Sequence, residues 1–162
     1  MAMGKVFSVI ASFGVAVGVL TAPQAAAGTG NFIPDQKQRW QNERSGLCLV
    51  VRGPANEAPA VMSDCGTWAD QIWVATDRGF LRNSNSGKCL TARTGQNPRQ
   101  YECGGYADQK WEAVSTQNGV QIRNQHTGLC LLARGTAENS PVTMYNCLSQ
   151  YADQRWKLTV MG

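Results

Sequence analysis

Few side chains in this 162-residue chain have the type and company that chemistry requires. His126 is the sole His, and its position in an Asn-x-x-Thr-Gly joint is held elsewhere in the chain by Arg44 and Asn85, so its expected role is a turn. There is no Gly-x-Ser-x-Gly elbow, no His-Glu-x-x-His pair and no phosphate-cradling Gly-Lys loop. Cys48, Cys65, Cys89, Cys103, Cys130 and Cys147 form an even set without any Cys-x-x-Cys pair, which reads as disulfides in an oxidising compartment. Zinc is the rival reading, and a single His argues against it. With the thiols assigned to bridges, no nucleophile stands out. The carboxylates Asp70, Asp108 and Asp153 recur at equivalent places, whereas an acid and base pair for glycoside hydrolysis would need one of them to differ. The expectation is recognition without catalysis, metal or cofactor.

The recurrence is the strongest signal in the chain. Asn42, Asn83 and Asn124 open Asn-x-x-(Ser/Thr)-Gly with a 41-residue period, and Cys-Leu follows one residue beyond each Gly. An Arg stands four residues after each of those Cys, at 52, 93 and 134. A second Cys comes at 65, 103 and 147, and each copy closes with (Trp/Tyr)-Ala-Asp-Gln-x-Trp, ending at Trp73, Trp111 and Trp156. The units span 38–78, 79–119 and 120–162. Length differences fall between the Arg and the second Cys and just after Cys147, which marks those stretches as loops. Three equivalent units make the pairing within each unit, 48 with 65, 89 with 103 and 130 with 147, the expected one. Each bridge would close a loop of about 15 residues, worth about 3 kcal/mol in a chain-entropy description.

Apolar residues alternate within a unit, clearest in the third: Val120 and Ile122, Leu129 to Ala133, Val142 and Met144, then Trp156, Leu158 and Val160. That is four strands. Gly, Asn, Ser and Pro fill the joints, and no window supports a helix of about ten residues. Twelve strands in three units make an all-β protein, and a unit of about 40 residues cannot bury its apolar side alone, so the three must share a core.

Ahead of the repeats, Lys5 precedes the uncharged stretch 6–20, and Pro23 with Ala25 to Ala27 supplies small residues for cleavage. Residues 1–27 are therefore expected to be a signal peptide, 28–37 a loosely held lead-in, and the mature protein secreted. At about 1.5 Å per residue the apolar stretch reaches only roughly 22 Å, too short for a membrane span. Net charge is only +4, and Lys or Arg never occurs in a run of three, which excludes the cation clustering of a nucleic-acid binder.

Gly-x-Cys-Leu, a second Cys and Gln-x-Trp, three times over, resemble the ricin B-type lectin family. The resemblance implies a β-trefoil, a six-stranded barrel capped by three hairpins, with a candidate sugar pocket per unit. Trp73, Trp111 and Trp156 are expected in the core ring, with Gln71, Gln109 and Gln154 satisfying loop backbone groups. A sugar presents hydroxyls and an apolar C–H face, so a pocket needs a fixed acceptor and a ring. The family's acidic position, directly after Cys-Leu, holds Val50, Thr91 and Leu132. Its aromatic position, two residues before the second Cys, holds Ser63, Tyr101 and Tyr145. Beside Gln-x-Trp, where Asn is common, stand Asp70, Asp108 and Asp153. The sugar-binding candidates are thus Tyr145, Asn146, Asp153, Gln154 and Leu132 in unit three, and Tyr101, Asp108 and Thr91 with Glu102 in unit two.

Unit three ranks first, because the Ala137 to Pro141 loop would close on a ligand. A competing reading is that the Asp residues cap the Gln-x-Trp turn. Trp68, Tyr106 and Tyr151 read either as exposed rings for glycan or protein contact or, the favoured reading, as covers for the hairpin loops, and Arg52, Arg93 and Arg134 either as sites for acidic groups or, again favoured, as solvated or locally paired side chains. The function expected is a secreted carbohydrate-binding module with one or two degenerate pockets for a glycan or polysaccharide. The alternative is a protein-binding trefoil, serving as adaptor or targeting subunit of a secreted toxin or hydrolase, or as a hydrolase inhibitor.

Overall fold

The structure is a computed structural model that describes residues 32–162. The expected signal peptide and residues 28–31 of the lead-in lie outside the described residues. Twelve short strands follow: β1 (Lys37–Asn42), β2 (Cys48–Val51), β3 (Ala60–Ser63), β4 (Ile72–Ala75), β5 (Leu81–Asn83), β6 (Cys89–Thr91), β7 (Arg99–Tyr101), β8 (Trp111–Thr116), β9 (Gly119–Asn124), β10 (Cys130–Ala133), β11 (Val142–Tyr145) and β12 (Trp156–Val160). All pairings between these strands are antiparallel. The ring runs β4–β1–β12–β9–β8 on one side and β4–β5 on the other. It closes between β5 and β8 through the Phe80–Lys110 bridge and a 2.8 Å bond from Trp111 N to Gly79 O. Hairpins β2–β3, β6–β7 and β10–β11 cap the ring. They touch one another through the Pro59–Arg99 and Val61–Pro141 bridges. This is the β-trefoil the resemblance implied.

The strands form because alternate side chains share one interior. Trp73, Trp111 and Trp156 are buried at the start of β4, β8 and β12, and their indole N–H groups donate to the carbonyls of Leu49, Leu90 and Leu131 at 3.2, 2.9 and 3.2 Å. An indole brings a large apolar surface but must find an acceptor for its N–H, and here each unit's hairpin supplies it. Trp40, Leu81 and Ile122 fill the next level, with Trp40 stacked on Trp73 at 5.5 Å. The described part of the lead-in is pinned, contrary to expectation. Phe32 stacks on Trp40 at 5.5 Å, and Asp35 N donates to Ala75 O at 2.8 Å.

The three disulfides join Cys48 to Cys65, Cys89 to Cys103 and Cys130 to Cys147. Each Asn of the joint motif folds its own turn and latches a neighbour. Asn42 Oδ1 accepts from Arg44 N and Ser45 N, while its Nδ2 donates to the carbonyl of Asp153 at 2.9 Å. Asn83 and Asn124 do the same toward Asp70 and Asp108. His126 offers its backbone N–H to the Asn124 turn, as a turn residue should. The closing Gly46, Gly87 and Gly128 have φ of +69°, +70° and +71°, a region open to Gly at little cost.

Candidate functional site

In every unit a single-turn 3₁₀ helix follows the hairpin, at Ala69–Gln71, Ala107–Gln109 and Ala152–Gln154, and in the first unit an outward cleft opens between the two. The Gln side chain ties this turn to the strand end. Gln71 Nε2 donates to Asp64 O at 2.6 Å and its Oε1 accepts from Gly66 N at 2.8 Å. Gln109 serves Glu102 O and Gly104 N at 2.7 and 3.0 Å. Gln154 serves Asn146 O and Leu148 N, both at 2.8 Å, and also accepts from Gln121 Nε2. The structural role expected for the three amides therefore holds. Gln154, expected from the sequence to contact sugar, is fully buried with both its polar atoms engaged, and is corrected to a scaffold residue.

The positions after Cys-Leu are likewise behind the cleft. Val50, Thr91 and Leu132 are 0%, 1% and 5% exposed. Strands β2, β6 and β10 are buried throughout, so Thr91 and Leu132 are corrected from ligand contacts to wall-forming residues.

The Asp residues do something neither sequence reading foresaw. None caps its turn. Each faces a guanidinium: Asp70 with Arg52 at 4.0 Å, Asp108 with Arg93 at 3.4 Å, and Asp153 with Arg44 of the first unit at 3.4 Å. Arg52 and Arg93 are in turn held by carboxylates from a neighbouring unit's loop. Glu138 reaches Arg52 at 3.0 Å and Ser63 Oγ at 2.9 Å, and Glu57 bridges Arg93 and Arg99 at 2.8 and 2.9 Å. The hydrogen bond from Arg99, with a second from Arg93, holds the Glu57 carboxyl below its ordinary range. The Ala137 to Pro141 loop thus does not close over Tyr145. Asn139 N donates to Met62 O, Met62 N donates to Ser140 O, and the loop completes the first unit's cleft instead.

The three units consequently differ. In unit two, Arg93 lies 5.0 Å from the centroid of the Tyr101 ring and covers it. Glu102 lies 3.9 Å from Lys88. In unit three, Tyr145 is 47% exposed with Arg134 5.9 Å from its centroid, and Asn146 contributes its backbone carbonyl to Gln154. In unit one the ring at the Tyr101 and Tyr145 position is Ser63, yet a cleft of about 490 Å³ is present, lined by Arg52, Ser63, Trp68, Asp70, Asn85 and Glu138. Trp68 is 61% exposed there. Gly66 permits this, because a Cβ at that position would lie inside the indole ring. Gly104 makes the same seat for Tyr106. One face of each ring thus rests on backbone and the rest meets solvent, so these rings are more than covers for a loop.

A second opening of about 1010 Å³ is lined by Phe32, Gln38, Val120 and Leu158 among others. Among the described residues no group of His, Cys, Asp and Glu is arranged to hold a metal, and no helix is long and apolar enough to cross a membrane.

Sequence reasoning missed Glu57 and Glu138, and it preferred a loop-covering role for Trp68 over the exposed ring found here. A signal was present: an acid precedes Pro59 and Pro141 by two or three residues in the long loops, and Gln96 stands in that place before Pro98.

The ricin-type β-trefoil lectin domain matches residues 36–156. Volkensin from Adenia volkensii is 31% identical over 137 residues, covering 77% of this chain and 25% of its own length, so the chain spans about a quarter of that relative. Among solved structures, the designed three-fold symmetric protein ThreeFoil aligns with a TM-score of 0.72 at 22% identity, over 77% of this chain and 99% of its own. The Macrolepiota procera ricin B-like lectin in complex with lactose aligns with a TM-score of 0.68 at 18% identity, over 80% and 98%. Triplicated sequence, closed six-stranded ring, hairpin cap and domain match agree, and the chain belongs to the ricin-type β-trefoil lectin domain family.

Proposed function

We propose that this chain is a carbohydrate-binding module that holds glycan in the clefts outside its barrel, without catalysis, and that the unit-one cleft is a principal site. The observation that carries the reading is the exposed Trp68 ring standing beside Arg52, Ser63, Asp70 and Glu138. An indole offers an apolar face to sugar C–H groups, and ionised donors and acceptors beside it make the stronger class of hydrogen bond to hydroxyls. Lactose in the Macrolepiota procera lectin supports a sugar ligand for a domain of this shape. Family membership favours sugar over the protein-adaptor alternative. Three disulfides suit an oxidising compartment, which supports a site of action outside the cytoplasm.

The test is retention on immobilised polysaccharides together with a glycan array. Wild type is expected to be retained and released by free sugar, and Trp68→Ala to lose at least tenfold in affinity while melting at the wild-type temperature. Silence on the array, with specific capture of a protein that free sugar does not displace, would reverse the reading.

A further inference from the structure

Repetition makes each cleft a control for the others, and unit three fails to match its sisters in one respect. Arg52 and Arg93 are neutralised from two sides, by the Asp of their own unit and by a Glu on the preceding unit's loop: Asp70 and Glu138 for the first, Asp108 and Glu57 for the second. Arg134 occupies the same place in unit three, and while its backbone N–H donates to Pro141 O, its guanidinium makes no hydrogen bond or ion pair among the described residues and lies against the face of Tyr145. Two features leave it so. The loop that feeds unit three, between Arg93 and Pro98, is two residues shorter than the loops ending at Pro59 and Pro141, and it holds Gln96 and Asn97 instead of an acid. Asp153, the in-unit partner by position, pairs with Arg44 instead.

The molecule therefore displays what an Arg in this position accepts. In two units out of three a carboxylate arrives from outside the unit and docks on the guanidinium at 3.0 and 2.8 Å. A carboxylate matches the planar donor fork of Arg better than any neutral hydroxyl pair. Beside the unpaired guanidinium, Tyr145 is about half exposed and supplies apolar surface. Unit one has the opposite balance, Arg52 against Asp64, Asp70 and Glu138, and would repel an anion.

Building on the glycan-binding reading above, we propose that the Arg134 and Tyr145 surface of unit three takes a carboxylate-bearing sugar, a uronic acid residue, whose carboxylate docks on Arg134 as Glu57 and Glu138 dock on Arg93 and Arg52. Units one and two are closed to such ligands by the protein's own glutamates. Neutral sugar is left to the Trp68 cleft.

The experiment titrates the full chain with oligomers of galacturonate and of glucuronate, each as free acid and as methyl ester, by calorimetry at low and high salt. The acid of one series is expected to bind about tenfold tighter than its ester, a difference of about 1.4 kcal/mol, and to lose that margin in high salt. Arg134→Gln should abolish the margin and Arg134→Lys should keep part of it. Glu57→Gln, which uncovers Arg93, should add a second acid-binding site per molecule. Equal binding of acid and ester, or a preference that survives Arg134→Gln, overturns the proposal while Trp68-dependent retention of neutral sugar leaves the general function standing. A folded protein that binds no glycan of either kind overturns both.

Discussion

Replacing each Gln of the Gln-x-Trp motif by Ala should destabilise the protein unequally, in an order set by hydrogen bonds. Gln71 and Gln109 each satisfy one carbonyl and one N–H, whereas Gln154 also accepts from the buried Gln121 amide at 2.8 Å. All three are at most 1% exposed, so water cannot reach the stranded partners without local opening. A net hydrogen bond is worth about 1 kcal/mol, and a buried group left unsatisfied costs about 1–3 kcal/mol. Gln71→Ala and Gln109→Ala should therefore cost about 3 kcal/mol each. Gln154→Ala should cost about 1 kcal/mol more, because Gln121 is stranded as well. For a domain of this size the melting temperature falls by roughly 3–4 °C per kcal/mol, so the expected drop is about 10 °C, larger for Gln154.

Calorimetric melts and urea midpoints with unchanged slopes would measure the series. Gln71→Ala carries a second readout, because its amide anchors the Asp64 to Gly66 segment on which Trp68 rests; glycan retention should weaken with it and not with Gln109→Ala. Equal losses across the three variants, or Gln154→Ala as the mildest, would refute the reasoning that places the energy in the amide's partners.

Two further outcomes are expected. Gly66→Ala puts a methyl group where the Trp68 ring lies, so the ring must move off the cleft; retention on polysaccharide should fall at least as far as in Trp68→Ala, while near-ultraviolet circular dichroism of the buried indoles stays the same. Arg99 and Arg93 lower the Glu57 pKa, and Arg155 lowers that of Glu43, from an ordinary 4.5. A depressed folded-state pKa stabilises fully above the unfolded value and is lost as pH falls through the folded one. Urea midpoints should thus decline below about pH 4.5. The Glu57→Gln, Glu43→Gln double variant should decline less steeply, with the gap narrowing in salt because both carboxylates are partly exposed.

The sequence carried the architecture to an unusual depth because every unit repeats the same constraints. Alternation placed the strands of unit three within a residue or two of those observed, and the Cys pairing and Trp ring followed from register alone. The clefts were less legible for a physical reason: they are assembled from two units at once. Glu138 is 86 residues from Arg52, and Glu57 is 36 from Arg93, so no local pattern links them. Position in the repeat also misled. Asp153 matches Asp70 and Asp108 in sequence yet pairs with Arg44, and Trp68 offers its ring from a position where the hairpin's own ring is replaced by Ser63. The burial of Thr91 and Leu132 was available from the apolar run around each Cys-Leu, since a strand covered on both faces reads as continuous rather than alternating.

The cross-unit latches give the binding surface an indivisible character. Asn42, Asn83 and Asn124 fasten each Gln-x-Trp turn to the next third of the chain, and the first strand zips against the last over five residue pairs. A ligand seated on any cleft therefore rests on a seam, and it reports on closure of the whole ring. Occupancy should raise the free energy of global opening by the full linkage amount rather than tightening one lobe alone. An isolated third, even with its disulfide intact, would offer only half of a binding face.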